Sequence, residues 1–175
     1  LLPLLQTRDV PDALAERVDA LRSLLVENGL GVGRREDPQD LNTLIIKLTK
    51  KCNIACTYCY DFENGDQAQH GDMDALKDAL TQALQIVPLG NTLHIIFHGG
   101  EPMLVWDMLE ELVLHGKAQA QKLDRGISFQ GQTNMTALSP RKVEFSDTHD
   151  IAWGISLDGT PQINDRFRKR TDGAG

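Results

Sequence analysis

Leu41-Asn42-Thr43-Leu44-Ile45-Ile46-Lys47-Leu48-Thr49-Lys50-Lys51-Cys52-Asn53-Ile54-Ala55-Cys56-Thr57-Tyr58-Cys59 changes character half-way. Its first half, with Leu44, Ile45, Ile46 and Leu48 apolar and partly β-branched, has the composition of a β-strand over residues 41–49. Its second half is a loop carrying three cysteines. The same succession, an apolar strand and then a polar or glycine-rich cluster, recurs downstream. A helix is expected over 72–87, with Leu76, Leu80, Leu84 and Val87 on one face. Thr92 to His98 is a strand that stops at Gly99-Gly100-Glu101-Pro102. Trp106 to Lys122 is a helix, Ile127 to Asn134 a strand, and Ser139 caps a short helix opening with Pro140. Ile151 to Leu157 is a fourth strand, followed by Asp158-Gly159.

Alternation of this kind implies an α/β fold, a parallel sheet joined by helical crossovers. The near-continuous apolar strands imply burial on both faces. Every unusual cluster falls at the C-terminal end of a strand, the face on which β/α barrels carry their sites. The cysteines, Gly99 to Pro102, Gln132-Thr133-Asn134 and Ser156-Leu157-Asp158-Gly159 are therefore expected to converge. About four β/α units are present, a partial TIM-like barrel.

Upstream, residues 10–29 read as a helix: Leu14, Val18, Leu21 and Leu25 recur at helical spacing, with Pro11 at the start and Gly29 past the end. Residues 29–40 read as a linker. Gly31 and Gly33 do not make a dinucleotide fingerprint, since Glu36 stands where its third glycine belongs. The expected division is thus 1–40, helix and linker, and 41–175, the N-terminal part of a core domain. The chain begins Leu1-Leu2-Pro3 and stops in the loop-like stretch 170–175, so a longer parent protein is expected.

The 175 residues are 41% hydrophobic and 25% charged, ordinary for a globular domain. No apolar run approaches the roughly 18 residues of a membrane span, and no signal peptide opens the chain, so a cytoplasmic protein without a membrane partner is expected. A net charge of −7 counts against a nucleic-acid partner. The basic run Arg166, Arg168, Lys169, Arg170 reads as a solvated face.

The chain has 3 cysteines, all within residues 52–59, which is a ligand set rather than a disulfide framework. Soft thiolates at C-x3-C-x2-C spacing can wrap one iron–sulfur cluster. Three thiolates on a four-iron cluster leave one iron open to a small molecule. The alternative is a zinc site completed by His70, His94 or His98.

Cys52-x3-Cys56-x2-Cys59, with Tyr58 before the last cysteine, resembles the signature of the radical SAM superfamily, where SAM is S-adenosylmethionine. Gly99-Gly100-Glu101-Pro102 resembles that family's second motif. Gln132-Thr133-Asn134 and the stretch Gly154 to Pro161, with Asn164-Asp165-Arg166 beyond, are similar to SPASM-type peptide and protein maturases. Anaerobic sulfatase-maturating and ribosomal-peptide cross-linking enzymes belong to that group. The resemblance covers about residues 41–170. Met135 stands where the family usually has glycine. The cysteine-rich C-terminal extension and the last units of the family's (β/α)6 barrel are not in this chain.

The resemblance implies a [4Fe-4S] cluster held by Cys52, Cys56 and Cys59, with SAM on the open iron. Reductive cleavage of SAM would give a 5′-deoxyadenosyl radical that takes hydrogen from a peptide or protein substrate, leaving a formylglycine or a cross-link. It implies that Tyr58 lies against the adenine and that Gly99 and Gly100 let the backbone approach the ligand. Pro102 completes that motif. Glu101 would accept a hydrogen bond from the SAM ammonium, and Asn134 and Ser156 would contact its ribose or carboxylate. Asp158 faces the substrate or turns the chain before Gly159. His98 reads as packed and hydrogen-bonded, Trp106 and Trp153 as core. No catalytic acid, base or hydrogen donor is assigned. Expected partners are the substrate, with a leader segment for the Leu-rich helix to dock or else a barrel for it to cap, and an electron donor such as flavodoxin or ferredoxin. The competing expectations are a radical SAM enzyme acting on RNA or a small molecule, and a non-catalytic zinc-binding module.

Overall fold

A computed structural model describes residues 41–60 and 69–173, together with Glu16, Asp19, Ala20 and Ser23. Those four are helical; the rest of the helix expected over 10–29, and the linker after it, lie outside the described residues. The chain divides into two compact units, Leu1–Gln39 and Asp40–Gly175.

The larger unit is built on a four-stranded sheet of β1 (Thr43–Lys47), β3 (Thr92–His98), β4 (Gly126–Thr133) and β5 (Ile151–Ile155). The spatial order is β1-β3-β4-β5 and every neighbouring pair is parallel. Each of these strands thus lies beside its predecessor in the chain, as in the wall of a β/α barrel. The crossovers are helical: α1 (Met73–Ile86), α2 (Trp106–Leu123) and α3 (Pro140–Thr148). Short β2 (Ile54–Cys56) lies outside this sheet. It pairs antiparallel with β6 (Arg168–Arg170), which follows α4 (Pro161–Phe167) directly.

Local chemistry explains the helix boundaries. Asp72 caps α1, its carboxylate accepting from Ala75 N at 2.8 Å. α2 ends where Asp124 turns left-handed, with φ 54°. Ser139 occupies the N-cap position of α3 but its side chain makes no capping hydrogen bond, which corrects that expectation. Pro140 alone pre-sets the first turn.

Burial is on one face of the sheet rather than two. Ile46, Leu93, Ile95, Phe97 and Phe129 are buried with Leu80 and Leu84 of α1 and Leu109, Leu112 and Val113 of α2. On the other face Ile45 is 61% exposed, beside exposed His94, Gln130 and Gln132. The physical reason is that crossover helices of one hand cover only the outside of a barrel wall, and four strands do not enclose its inside. Trp106 is core, and Trp153 is half-buried with its ring centroid 6.2 Å from that of Trp106.

Candidate functional site

The C-terminal ends of β1, β3, β4 and β5 do meet. They border a cavity of about 210 Å³ lined by Cys52, Cys56, Cys59, Tyr58, Gly99, Gly100, Glu101, Asn134 and Ser156, together with Ile54, Tyr60, His98, Gln132, Thr133 and Arg168. Pro102 is the one expected cofactor residue outside this lining. It is buried and opens the 3-10 turn Pro102–Val105 that leads into α2.

The three cysteines are free; Cys52 and Cys56 are half-buried and Cys59 is exposed. Cys56 ends β2, and a turn with Cys59 N donating to Cys56 O at 3.0 Å brings in Cys59. Burial pushes the Cys52 and Cys56 thiols up, and for Cys56 the Arg168 guanidinium works against that rise. Two N–H groups aim at the Cys52 sulfur: Ile54 N at 3.5 Å and Asn134 Nδ2 at 3.6 Å. Donors of this kind suit a sulfur that carries thiolate charge on a cluster.

The glycine loop packs on the cysteine loop. Gly100 has φ +50°, and a Cβ there would lie 2.4 Å from Lys51 O and 2.8 Å from Thr49 O. Beside it Glu101 N donates to Lys51 O at 2.8 Å. Gly100 therefore serves a close approach of two backbones, not only of backbone to ligand, which amends the expectation. Gly100→Ala is expected to displace the cysteine loop and lower the iron bound per chain severalfold. Iron analysis after anaerobic reconstitution checks this, and full loading in that variant would contradict the packing argument.

Glu101 is 1% exposed. Its Oε1 accepts from Met103 N at 3.0 Å and Thr133 Oγ1 at 2.8 Å, and its Oε2 from Asn134 N at 2.7 Å. Its carboxylate thus joins the glycine loop to the end of β4, and three of its roughly four acceptor positions are engaged by the chain itself. About one acceptor position of the carboxylate is left over from these bonds.

Asn134 is similarly engaged. Its Nδ2 donates to Asn53 Oδ1 at 3.0 Å as well as toward Cys52, and its Oδ1 accepts from Thr136 N and Thr136 Oγ1 at 3.0 and 2.7 Å. These bonds hold the cysteine loop to the end of β4. Met135 takes φ 64°, so the left-handed position that glycine usually fills is kept by a non-glycine residue. Ser156 Oγ accepts from Gln132 Nε2 at 2.9 Å.

Tyr58 is 56% exposed. Its Oη donates to Asp158 Oδ2 at 2.5 Å and accepts from Arg168 Nη1 at 2.9 Å. The bond to Asp158 pushes its phenol up. Asp158 is thus the partner of Tyr58, beyond the two roles expected of it. His98 lies half-buried on the cavity wall.

Arg168 and Thr133, with Ile54, Tyr60 and Gln132, line the site without having been singled out by the sequence. Thr133 sat in a quoted motif; Arg168 sat in a basic run of the kind a solvated face also produces. Lys169 and Arg170 are exposed, as that expectation had it, but Arg168 is turned to the cavity.

Of the three histidines weighed for a zinc site, His98 alone lines the cavity with the cysteines. Among the described residues no group of three or more His, Cys, Asp or Glu is placed to hold one metal ion. His94 Nδ1 is 2.7 Å from Ser128 Oγ, and His70 bridges Thr49. Thiols spread around one cavity, with N–H groups on a sulfur, suit a cluster that spaces its ligands apart.

The sequence profile of the radical SAM superfamily matches residues 46–174, which include the three cysteines and all four strand ends. The chain belongs to the radical SAM superfamily. This family uses SAM and a [4Fe-4S] cluster. An uncharacterized protein of Methanocaldococcus jannaschii is 34% identical over 74% of this chain and 43% of its own length. A cysteine-type anaerobic sulfatase-maturating enzyme of Clostridium novyi is 30% identical, over 74% of this chain and 36% of its own. An Fe-coproporphyrin III synthase of Methanosarcina barkeri is 29% identical, over 71% and 29%. Among solved structures, native anSMEcpe with bound AdoMet and a peptide superposes with a TM-score of 0.65 and 26% identity, covering 75% of this chain and 35% of that one. This chain therefore spans less than half the length of each, and it is related to the SPASM-type sulfatase maturases. No helix among the described residues is long and apolar enough to cross a membrane.

Proposed function

We propose that the protein carrying this chain reductively cleaves SAM at a [4Fe-4S] cluster on Cys52, Cys56 and Cys59 and abstracts hydrogen from a peptide or protein substrate. The observation that carries this reading is the meeting of three free thiols with the glycine loop and the ends of β4 and β5 around one cavity. When bound, the cluster and SAM supply the electron transfer and the hydrogen-abstracting chemistry.

The chain's own part is to hold and orient. Cys52, Cys56 and Cys59 take three irons. Tyr58 offers its ring to the adenine while Asp158 and Arg168 hold its hydroxyl. Gly99 and Gly100 present backbone polar groups, and Ser156 a hydroxyl, to the polar parts of SAM. Glu101 and Asn134 act from behind, by fixing the glycine loop, the end of β4 and the cysteine loop together. A flavodoxin or ferredoxin is the electron donor of this proposal. A peptide substrate is supported by the sulfatase-maturating relative and by the peptide in the superposed structure. The porphyrin-synthase relative favours a second reading, a small-molecule substrate.

The test is made on protein purified without oxygen and supplied with iron and sulfide. Four irons and four sulfides per site, with an electron paramagnetic resonance signal that shifts on adding SAM, are the expected result. Zinc without sulfide would overturn it. Hydrogen transfer to SAM-derived product from a peptide library, rather than from tetrapyrroles, separates the two substrate classes.

A further inference from the structure

The turn after the glycine motif is held twice. From the cavity wall Glu101 takes Met103 N, Thr133 Oγ1 and Asn134 N. From outside the cavity Lys142 of α3 donates its Nζ to Met103 O at 2.8 Å and to Ala137 O at 2.6 Å. Lys142 borders a separate surface groove, with His70 and Trp106. Both residues therefore join the same two segments, the 3-10 turn Pro102–Val105 and the end of β4 with the loop that follows it. α3 gives Lys142 a fixed base: Trp153 Nε1 of β5 donates to Ser146 Oγ at 3.0 Å, and Ser146 Oγ donates to Lys142 O at 2.7 Å.

Lys142 is half-buried, and its Nζ stands 5.7 Å from the centroid of the Trp106 ring. An apolar side chain would pack on that ring without the hydration an ammonium gives up. The ammonium instead directs two of its three donors to carbonyls of two different segments. The ties of the cysteine loop run through Lys51 O, Asn53 and β6, and do not include Lys142.

We propose that Lys142 is a positioning residue for SAM: by fixing the carbonyls of Met103 and Ala137 it sets the glycine loop against the end of β4, and so pre-forms the SAM side of the cavity without holding the cluster side. This rests on the reading of Gly99 and Gly100 as contacts of SAM. A loop that orders only when its ligand arrives subtracts the ordering free energy from binding, so losing the clamp weakens SAM.

The measurement is a SAM titration of the reconstituted full-length protein, followed by the shift of the reduced cluster's paramagnetic signal, with iron and sulfide counted on the same samples. A shift in the parent tests the underlying reading; the variants test this inference. Lys142→Met keeps a stem on Trp106 and removes the donors. It is expected to hold as much cluster as the parent and to raise the Kd for SAM about tenfold. Lys142→Leu is a second neutral variant with the same expected result, should the first not hold a cluster. Lys142→Arg keeps charge and donors and is expected to stay within about threefold of the parent. An unchanged Kd in the neutral variants overturns the proposal, whatever their melting temperatures. So does an Arg variant as weak as the neutral ones, or loss of the cluster from both neutral variants, the result of a residue that only holds the fold.

Discussion

Cys56→Ala is expected to leave a folded protein with no four-iron cluster and with SAM cleavage reduced to background. The side chain sits at the end of β2, half-buried and free, facing the cavity with Cys52 and Cys59. Its removal leaves two thiols, too few for a cluster that holds three irons by protein sulfur. The β2–β6 ribbon is made by backbone pairing and does not need the thiol, so the loop keeps its course. The buried core of the sheet, α1 and α2 does not include Cys56; it is closed by Leu80, Leu84, Leu109 and Phe97, each 0% exposed. Iron and sulfide counts, the reduced paramagnetic spectrum and a thermal melt of the metal-free protein check this together. A four-iron signal retained in the variant would remove Cys56 from the ligand set.

The second large effect is on stability rather than on ligand. Glu101→Ala strands Met103 N, Thr133 Oγ1 and Asn134 N, three donors that now end on one carboxylate. Each buried donor left without a partner costs about 1–3 kcal/mol. The loss is expected to exceed 3 kcal/mol, which lowers Tm by roughly 10 °C for a domain of this size. Because the same carboxylate ties β4 to the glycine loop, and Asn134 ties β4 to Cys52 and Asn53, cluster loading is expected to fall with it. Glu101→Gln keeps the volume and one acceptor oxygen, and should lose about half as much. A variant that melts with the parent, loads a full cluster and loses only SAM affinity would show that the carboxylate faces the ligand after all.

The strands, the crossover helices and the meeting of their C-terminal ends were legible in the sequence because each is a local pattern. β3 is an apolar β-branched run closed by two glycines, and α1 repeats leucine at helical spacing behind an acidic cap. The cysteine triplet was visible for the same reason: C-x3-C-x2-C is short, and its resemblance to a family signature implied the cluster. The one-sided burial was less so, since an apolar residue such as Ile45 reads alike whether a helix covers it or not.

The tasks of the residues between the motifs were decided by the tertiary structure. Glu101 meets Asn134 across 33 positions, Asn134 meets Cys52 across 82, Tyr58 meets Asp158 across 100, and Arg168 reaches Tyr58 across 110. A hydrogen bond is satisfied or open according to what the fold places within about 3 Å, and no local period carries that information. So the sequence by itself determined which motifs gather at the mouth of the sheet. Only the folded chain decided which of them brace the cysteine loop, because that depends on which polar atoms distant segments bring within hydrogen-bonding reach.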